Sequence, residues 1–193
     1  RNTVVHFFLT RAVAELALLA VSEQRQTVAT LDHFWAEVRE LRDLFKFEFF
    51  YPDTQDFEQQ IDAELCRDEP RWQSLLSERP DNARLIINRL SPKLGHIALT
   101  IFAEAYSVGT EILLRQGDCK PLDEAVFIDR CMSYGRQAYL QRRISSEASI
   151  GKLLYANAWK MLKSRAMRQK AMAKNAKTKL QRRLGDVKKP MPM

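Results

Sequence analysis

A chain of 193 residues that is 46% apolar, with six glycines and seven prolines, is long enough for one packed domain. It is too poor in glycine and proline to be low-complexity or collagen-like. The formal charge of +7 is unevenly placed: from Lys163 onward 11 Lys and Arg stand against one acid, Asp186, so this stretch carries +10 and the rest −3. The body is mildly acidic, and any argument for an anionic partner rests on the C-terminal stretch alone.

The first element is an apolar segment over Thr3–Val21, with Val5, Phe8, Leu9, Ala12, Val13, Leu16, Leu19 and Ala20 on one broad helical face. It is about one bilayer long but contains His6, Arg11 and Glu15, and a central arginine costs about 2.5–3.5 kcal/mol on insertion. Arg11 and Glu15 are four apart and can pair on one face, so the segment reads as a core helix rather than a span. No basic leader or small-residue cleavage site frames it as a signal peptide. The chain opens at Arg1 inside this segment, as expected of a piece of something longer.

A second helix follows Thr30, with Phe34, Val38, Leu41 and Phe45 inward, and runs through the aromatic segment Phe47–Tyr51 to stop before Pro52. Asp53 caps a third, carrying Phe57, Ile61 and Leu65. Two short helices, Trp72–Leu76 and Ala83–Leu90, flank the turn Arg79-Pro80-Asp81-Asn82. Ser91-Pro92 reads as the start of a helix through Ile97, Ile101, Ala105, Val108 and Ile112, ending before Gly117. Another spans Leu122–Arg142, and after Ser145-Ser146 a last one places Ile150, Leu153, Leu154, Ala158 and Met161 on one face. No alternating run suggests a sheet. The fold class is all-α: an irregular multi-helix domain over residues 1–162 and a basic tail over 163–193. The tail is partly disordered or helical, with a narrow stripe of Met172, Ala176, Leu180 and Leu184.

The chemistry is defined largely by what cannot be written. The glycines are scattered, so neither a dinucleotide fingerprint nor a phosphate-binding loop fits. No G-x-S-x-G elbow is present. A di-metal carboxylate site needs Glu three before His, and those positions hold Thr3, Thr30 and Lys93. An acyl-transfer H-x-x-x-x-D pair, in which Asp orients a general-base His, needs Asp five after His; there stand Arg11, Val38 and Ile101. Cys66, Cys119 and Cys131 are odd in number and form no C-x-x-C, which fits buried thiols in a reducing cytoplasm. Acids such as Glu58, Asp62 and Glu64 read as a solvated helix face. No metal site, cofactor or catalytic residue is expected.

Four stretches carry a resemblance. RNTVVHFFLTRAVAELALL at Arg1–Leu19 is similar to a Y-R-N-x-x-x-H segment, and LRDLFKFEFFYP at Leu41–Pro52 to an L-K-x-E-x-F stretch. His96–Leu114 and Gly135–Leu162 look like the later helices of the same region. Together they resemble the C-terminal region of the bacterial glycerol-3-phosphate acyltransferase family, over roughly Arg1 to Met167. The resemblance implies a parent enzyme that moves a fatty acyl group from acyl-carrier protein or acyl-CoA to the 1-hydroxyl of glycerol 3-phosphate, in phospholipid synthesis. It also implies an upstream catalytic domain, on the same or a separate chain, that holds the catalytic His and Asp and the phosphate-binding arginines; the chain alone is then expected to be inactive. Arg1, Asn2 and His6 match the family segment, as substrate contacts or as residues holding the helix start.

Two surfaces are expected besides. The first helix carries large apolar residues off its main stripe, Val4 and Phe7, and the aromatic segment has a similar surplus, so Phe7, Phe49 and Phe50 are read as docking on the catalytic domain. In the tail, Lys170, Lys174, Lys177, Arg182 and Arg183 are read as binding an anionic membrane, giving a cytoplasmic protein peripheral at the cytoplasmic membrane. Nucleic acid is not expected, because no aromatic residue follows Lys163 to stack on bases. The rival reading is a stand-alone helical adaptor whose tail binds anionic membrane or nucleic acid.

Overall fold

The computed structural model describes residues 3–23, 30–93, 95–116 and 122–166, with the side chains of residues 3–7 and of His96 outside the described set. Among the described residues the regular structure is helical. In chain order it comprises α1 (Thr3–Glu23), α2 (Thr30–Leu44), α3 (Thr54–Asp68), α4 (Trp72–Glu78), α5 (Asn82–Arg89), α6 (Gly95–Ala98), α7 (Thr100–Gln116) and α8 (Glu124–Leu140). A single 3-10 turn, Glu147–Ser149, then precedes α9 over 152–166.

α1 is the axis, touching α2, α3, α5 and α6. Leu9, Ala12, Val13, Ala14, Ala17, Leu18 and Val21 are buried, a set that spreads around most of the helix. A helix apolar on nearly every side is enclosed by its neighbours, and its alanines let them come close. The broad face read from sequence is thereby corrected: Phe8 and Leu19 are 43% and 45% exposed, while Arg11 and Glu15 are buried. No described helix is long and apolar enough to cross a membrane.

The second half is built from α7, α8 and α9. They converge at Gly109, where an added Cβ would lie 3.1 Å from Phe127 Cζ on α8 and 3.4 Å from Ala158 Cβ on α9. Phe127 also packs on Trp159, ring centroids 4.8 Å apart. The halves meet through the turn after α2, whose Phe45 and Phe49 rings pack against Phe102 of α7. A separate trio, Phe34, Trp35 and Trp72, locks α2 to α4 with edge-on rings.

The α3 boundary follows the cap named from sequence: Asp53 accepts from the Asp56 N–H at 2.9 Å. Asp123, a cap not named from sequence, accepts from the Ala125 N–H at 3.1 Å at the start of α8. Two boundaries differ from those read from sequence. Ser91-Pro92, a cis peptide, lies in a bend, and the helix begins only at Gly95. The reason is remote in sequence: the Glu15 carboxylate of α1 accepts the Gly95 N–H at 2.6 Å and does the capping. Ser146 caps the 3-10 turn, accepting from Ala148 N–H at 3.1 Å, and α9 starts after it. Ile150 therefore precedes the helix, Leu153 is 72% exposed, and the buried face is Tyr155, Ala158, Trp159 and Met161. α8 ends with the N–H of Arg143 bonded to Ala138 O and that of Arg142 to Tyr139 O. That closure places Arg142 at φ 58°, a position glycine usually fills.

Candidate functional site

Two clusters gather most of the buried polar residues among those described. The first joins α1, α3 and α6. Arg11 Nη1 lies 3.1 Å from Glu64 Oε1 and 2.6 Å from Asp68 Oδ2. Arg11 Nε is 3.5 Å from Glu15 Oε1, the i,i+4 pair expected from sequence. Burial acts against the Arg11 charge, but hydrogen bonds and attraction from Asp68 and Glu64 outweigh it, so its pKa is raised. Glu15 uses its other oxygen to cap Gly95, whose Cα approaches so closely that a Cβ would sit 3.1 Å from Glu15 Oε2 and 3.2 Å from Ala12 O.

The second joins the turn after α2 to α7 and α9. Glu48 Oε1 accepts from Tyr106 Oη and Oε2 from Asn157 Nδ2, both at 3.1 Å. All three residues are buried. Burial raises the Glu48 pKa despite these two hydrogen bonds, and burial with the neighbouring Glu48 charge raises that of Tyr106. A further carboxylate, Glu104 of α7, accepts from the Ser145 N–H and hydroxyl, both at 2.6 Å, and from the Ser149 hydroxyl. Burial would raise its pKa, but the hydrogen bonds from Ser145, Ser149 and the 145–146 backbone lower it.

These arrangements hold helices together. Each carboxylate is spent on a partner from a distant segment, which fixes register and orientation. Among the described residues no group of three or more His, Cys, Asp or Glu is placed to hold a metal. Cys131 is buried, and burial pushes its thiol up to about 12.

The residues named from sequence fall into separate places. Arg1 and Asn2 lie outside the described residues, as do Lys170, Lys174, Lys177, Arg182 and Arg183. His6 and Phe7 are on α1, with side chains outside the described set. Phe49 is corrected: at 6% exposed and 5.0 Å from the Phe102 ring, it belongs to the domain's own core. Phe50 is 95% exposed. Sequence reasoning missed the role of Glu64 and Asp68 as partners of a buried arginine. It also passed over Glu48, whose signal was an acid within a run of aromatics.

The described part of the chain is all-helical, and its buried charged groups brace one helix against another. The chain belongs to the glycerol-3-phosphate acyltransferase C-terminal region family, whose sequence pattern it matches over residues 1–171. It is 30% identical over 171 residues to proteins named "Putative acyltransferase plsB1" from Mycobacterium bovis and two strains of Mycobacterium tuberculosis. The match covers 86% of this chain and 27% of those proteins, so the chain spans about a quarter of the length of these relatives. No solved structure matches it.

Proposed function

We propose that the chain is the supporting helical domain of a glycerol-3-phosphate 1-O-acyltransferase. The reaction moves an acyl group from acyl-carrier protein or acyl-CoA to the 1-hydroxyl of glycerol 3-phosphate. The observation that carries the reading is the family match over residues 1–171. A general base takes the hydroxyl proton as the oxygen attacks the thioester carbonyl, and the thiol leaves. His6, His33 and His96 lack the Asp five residues on that such a base uses, so the base belongs to the catalytic domain.

What this chain contributes is position. Reacting groups must be held to within a fraction of an ångström, and a rigid neighbour supplies that. The Arg11 cluster and the Glu48–Tyr106–Asn157 link make α1, α3, α6, α7 and α9 one braced body. α1 meets the catalytic domain in this reading. Phe8 and Leu19 are exposed on an otherwise enclosed helix, and Ile97, on α6 packed beside it, is 66% exposed. Phe7, Arg1, Asn2 and His6 extend that contact. The basic residues Lys170, Lys174, Lys177, Arg182 and Arg183 hold the enzyme at the cytoplasmic face of an anionic membrane, at about 1 kcal/mol for each charge near the surface.

The test joins this chain to the catalytic region of the mycobacterial relative and follows lysophosphatidic acid from glycerol 3-phosphate and acyl-CoA. The fusion forms product and the 193-residue chain alone forms none. Enzyme-dependent product from the chain alone overturns the assignment.

A further inference from the structure

The turn after α2 leaves one aromatic ring in solvent and a second partly so, while its others are core. Phe50 is 95% and Phe47 37% exposed, whereas Phe45 and Phe49 are buried. The turn is clamped onto α9: Lys46 Nζ lies 3.2 Å from Ser164 Oγ, and Glu48 holds Asn157. Residues 157, 160 and 164 share one row of a helix, so the exposed Lys160 stands beside the same turn. Lys163 is close by, its ammonium 4.7 Å above the Trp159 ring.

The acids on this face are already engaged. Asp43 is 3.1 Å from Lys46, Glu40 pairs with Arg165, and Glu48 is buried on Tyr106 and Asn157. Lys160 and Lys163 have no carboxylate within ion-pair distance among the described residues. The uncompensated charge is positive, and the sequence beyond α9 continues it from Arg168 to Lys189 with only Asp186 against it. An isolated exposed ring is ordinary. Two rings at the tip of a braced turn, beside unpaired lysines at the root of a +10 stretch, are a different object. Stable attachment to a bilayer needs two signals, an apolar insertion and a basic patch, and the turn and the helix it is clamped to carry one of each.

We infer that Phe47 and Phe50, with Lys160 and Lys163 of α9, form a membrane-contact surface, the rings entering the acyl boundary and the ammonium groups meeting anionic headgroups. The surface adds a folded contact to the tail attachment proposed above. Its test is separate from acyl transfer, so either can fail alone. The 193-residue chain is co-sedimented with phosphatidylcholine vesicles with and without phosphatidylglycerol. Phe50→Ser, and Phe47→Ser with Phe50→Ser, should lower affinity for the anionic vesicles, by about tenfold for each ring that enters. The thermal transition of the Phe50→Ser chain should match that of the parent, since Phe50, 95% exposed, has little to lose in the fold. Lys160→Glu with Lys163→Glu should weaken binding at least tenfold at low salt and little at high salt. Undiminished binding of the Phe50→Ser chain overturns the inference, as does equal affinity for both vesicles. If the aromatic variants bind vesicles normally but the fusion enzyme carrying them loses activity in detergent, the turn docks on protein and the membrane assignment is wrong.

Discussion

Replacing Arg11 by methionine keeps the length of the side chain and removes the charge on which three carboxylates converge. Arg11 is 6% exposed, and Glu15 at 7% has no compensating access to water. Removing one member of a buried ion pair costs about 3–5 kcal/mol, because the partner is left charged and desolvated. Glu64 and Asp68 keep 19% and 23% of their side-chain exposure and are partly hydrated, which places the loss nearer about 2–3 kcal/mol. For a domain of this size that is a fall in Tm of about 4–12 °C. Guanidinium denaturation followed by circular dichroism gives the free energy, and calorimetry the transition. Asp68→Asn should cost less than Arg11→Met, since it removes one charge and leaves Glu15 and Glu64 paired. An Arg11→Met chain within about 0.5 kcal/mol of the parent would refute the claim that this cluster braces α1 against α3.

Gly95→Ala should cost about 1–3 kcal/mol by equilibrium denaturation, because its Cβ meets Glu15 and the Ala12 carbonyl oxygen at 3.1 and 3.2 Å. Glu48 has a raised pKa from burial, so the native state holds its proton above the ordinary value of 4.5 and this group's contribution falls as pH rises through that window. Glu48→Gln should flatten that part of the stability profile, measured by denaturation at a series of pH values. Glu104 is lowered, so its contribution is present above the unfolded glutamate pKa and is lost as pH falls through the folded value; Glu104→Gln should destabilise at neutral pH by about 1–2 kcal/mol and match the parent in acid. Cys131, buried with its thiol pushed up to about 12, should resist alkylation in the native state, with reaction appearing only on unfolding.

The helical character of the chain, the Asp53 cap and the inward set Phe34, Val38, Phe57, Ile61 and Leu65 were legible because 3.6-residue periodicity and capping are local signals. What escaped was set by contacts remote in sequence. The cap on Gly95 comes from Glu15, 80 residues earlier, and no local pattern announces it. The inward face of α1 was misjudged because Arg11 and Glu15 count as polar until Glu64 and Asp68 arrive from α3 to satisfy them. Phe49 and Phe50 are adjacent and chemically identical, and only the position of Phe102 decides which is core and which is surface. The family was legible from residues spread along the chain, whereas no functional residue within it is marked by a motif.

The central claim is that this domain positions a catalytic centre it does not contain. Its most direct measurement is the rate of lysophosphatidic acid formation by the catalytic region of the relative, first alone and then with the 193-residue chain added in trans. The account predicts a low rate for the catalytic region, no product from this chain, and a rise of at least about tenfold when they are combined, the scale of one well-placed contact. A catalytic region at full rate without this domain, or product from this domain by itself, would contradict it.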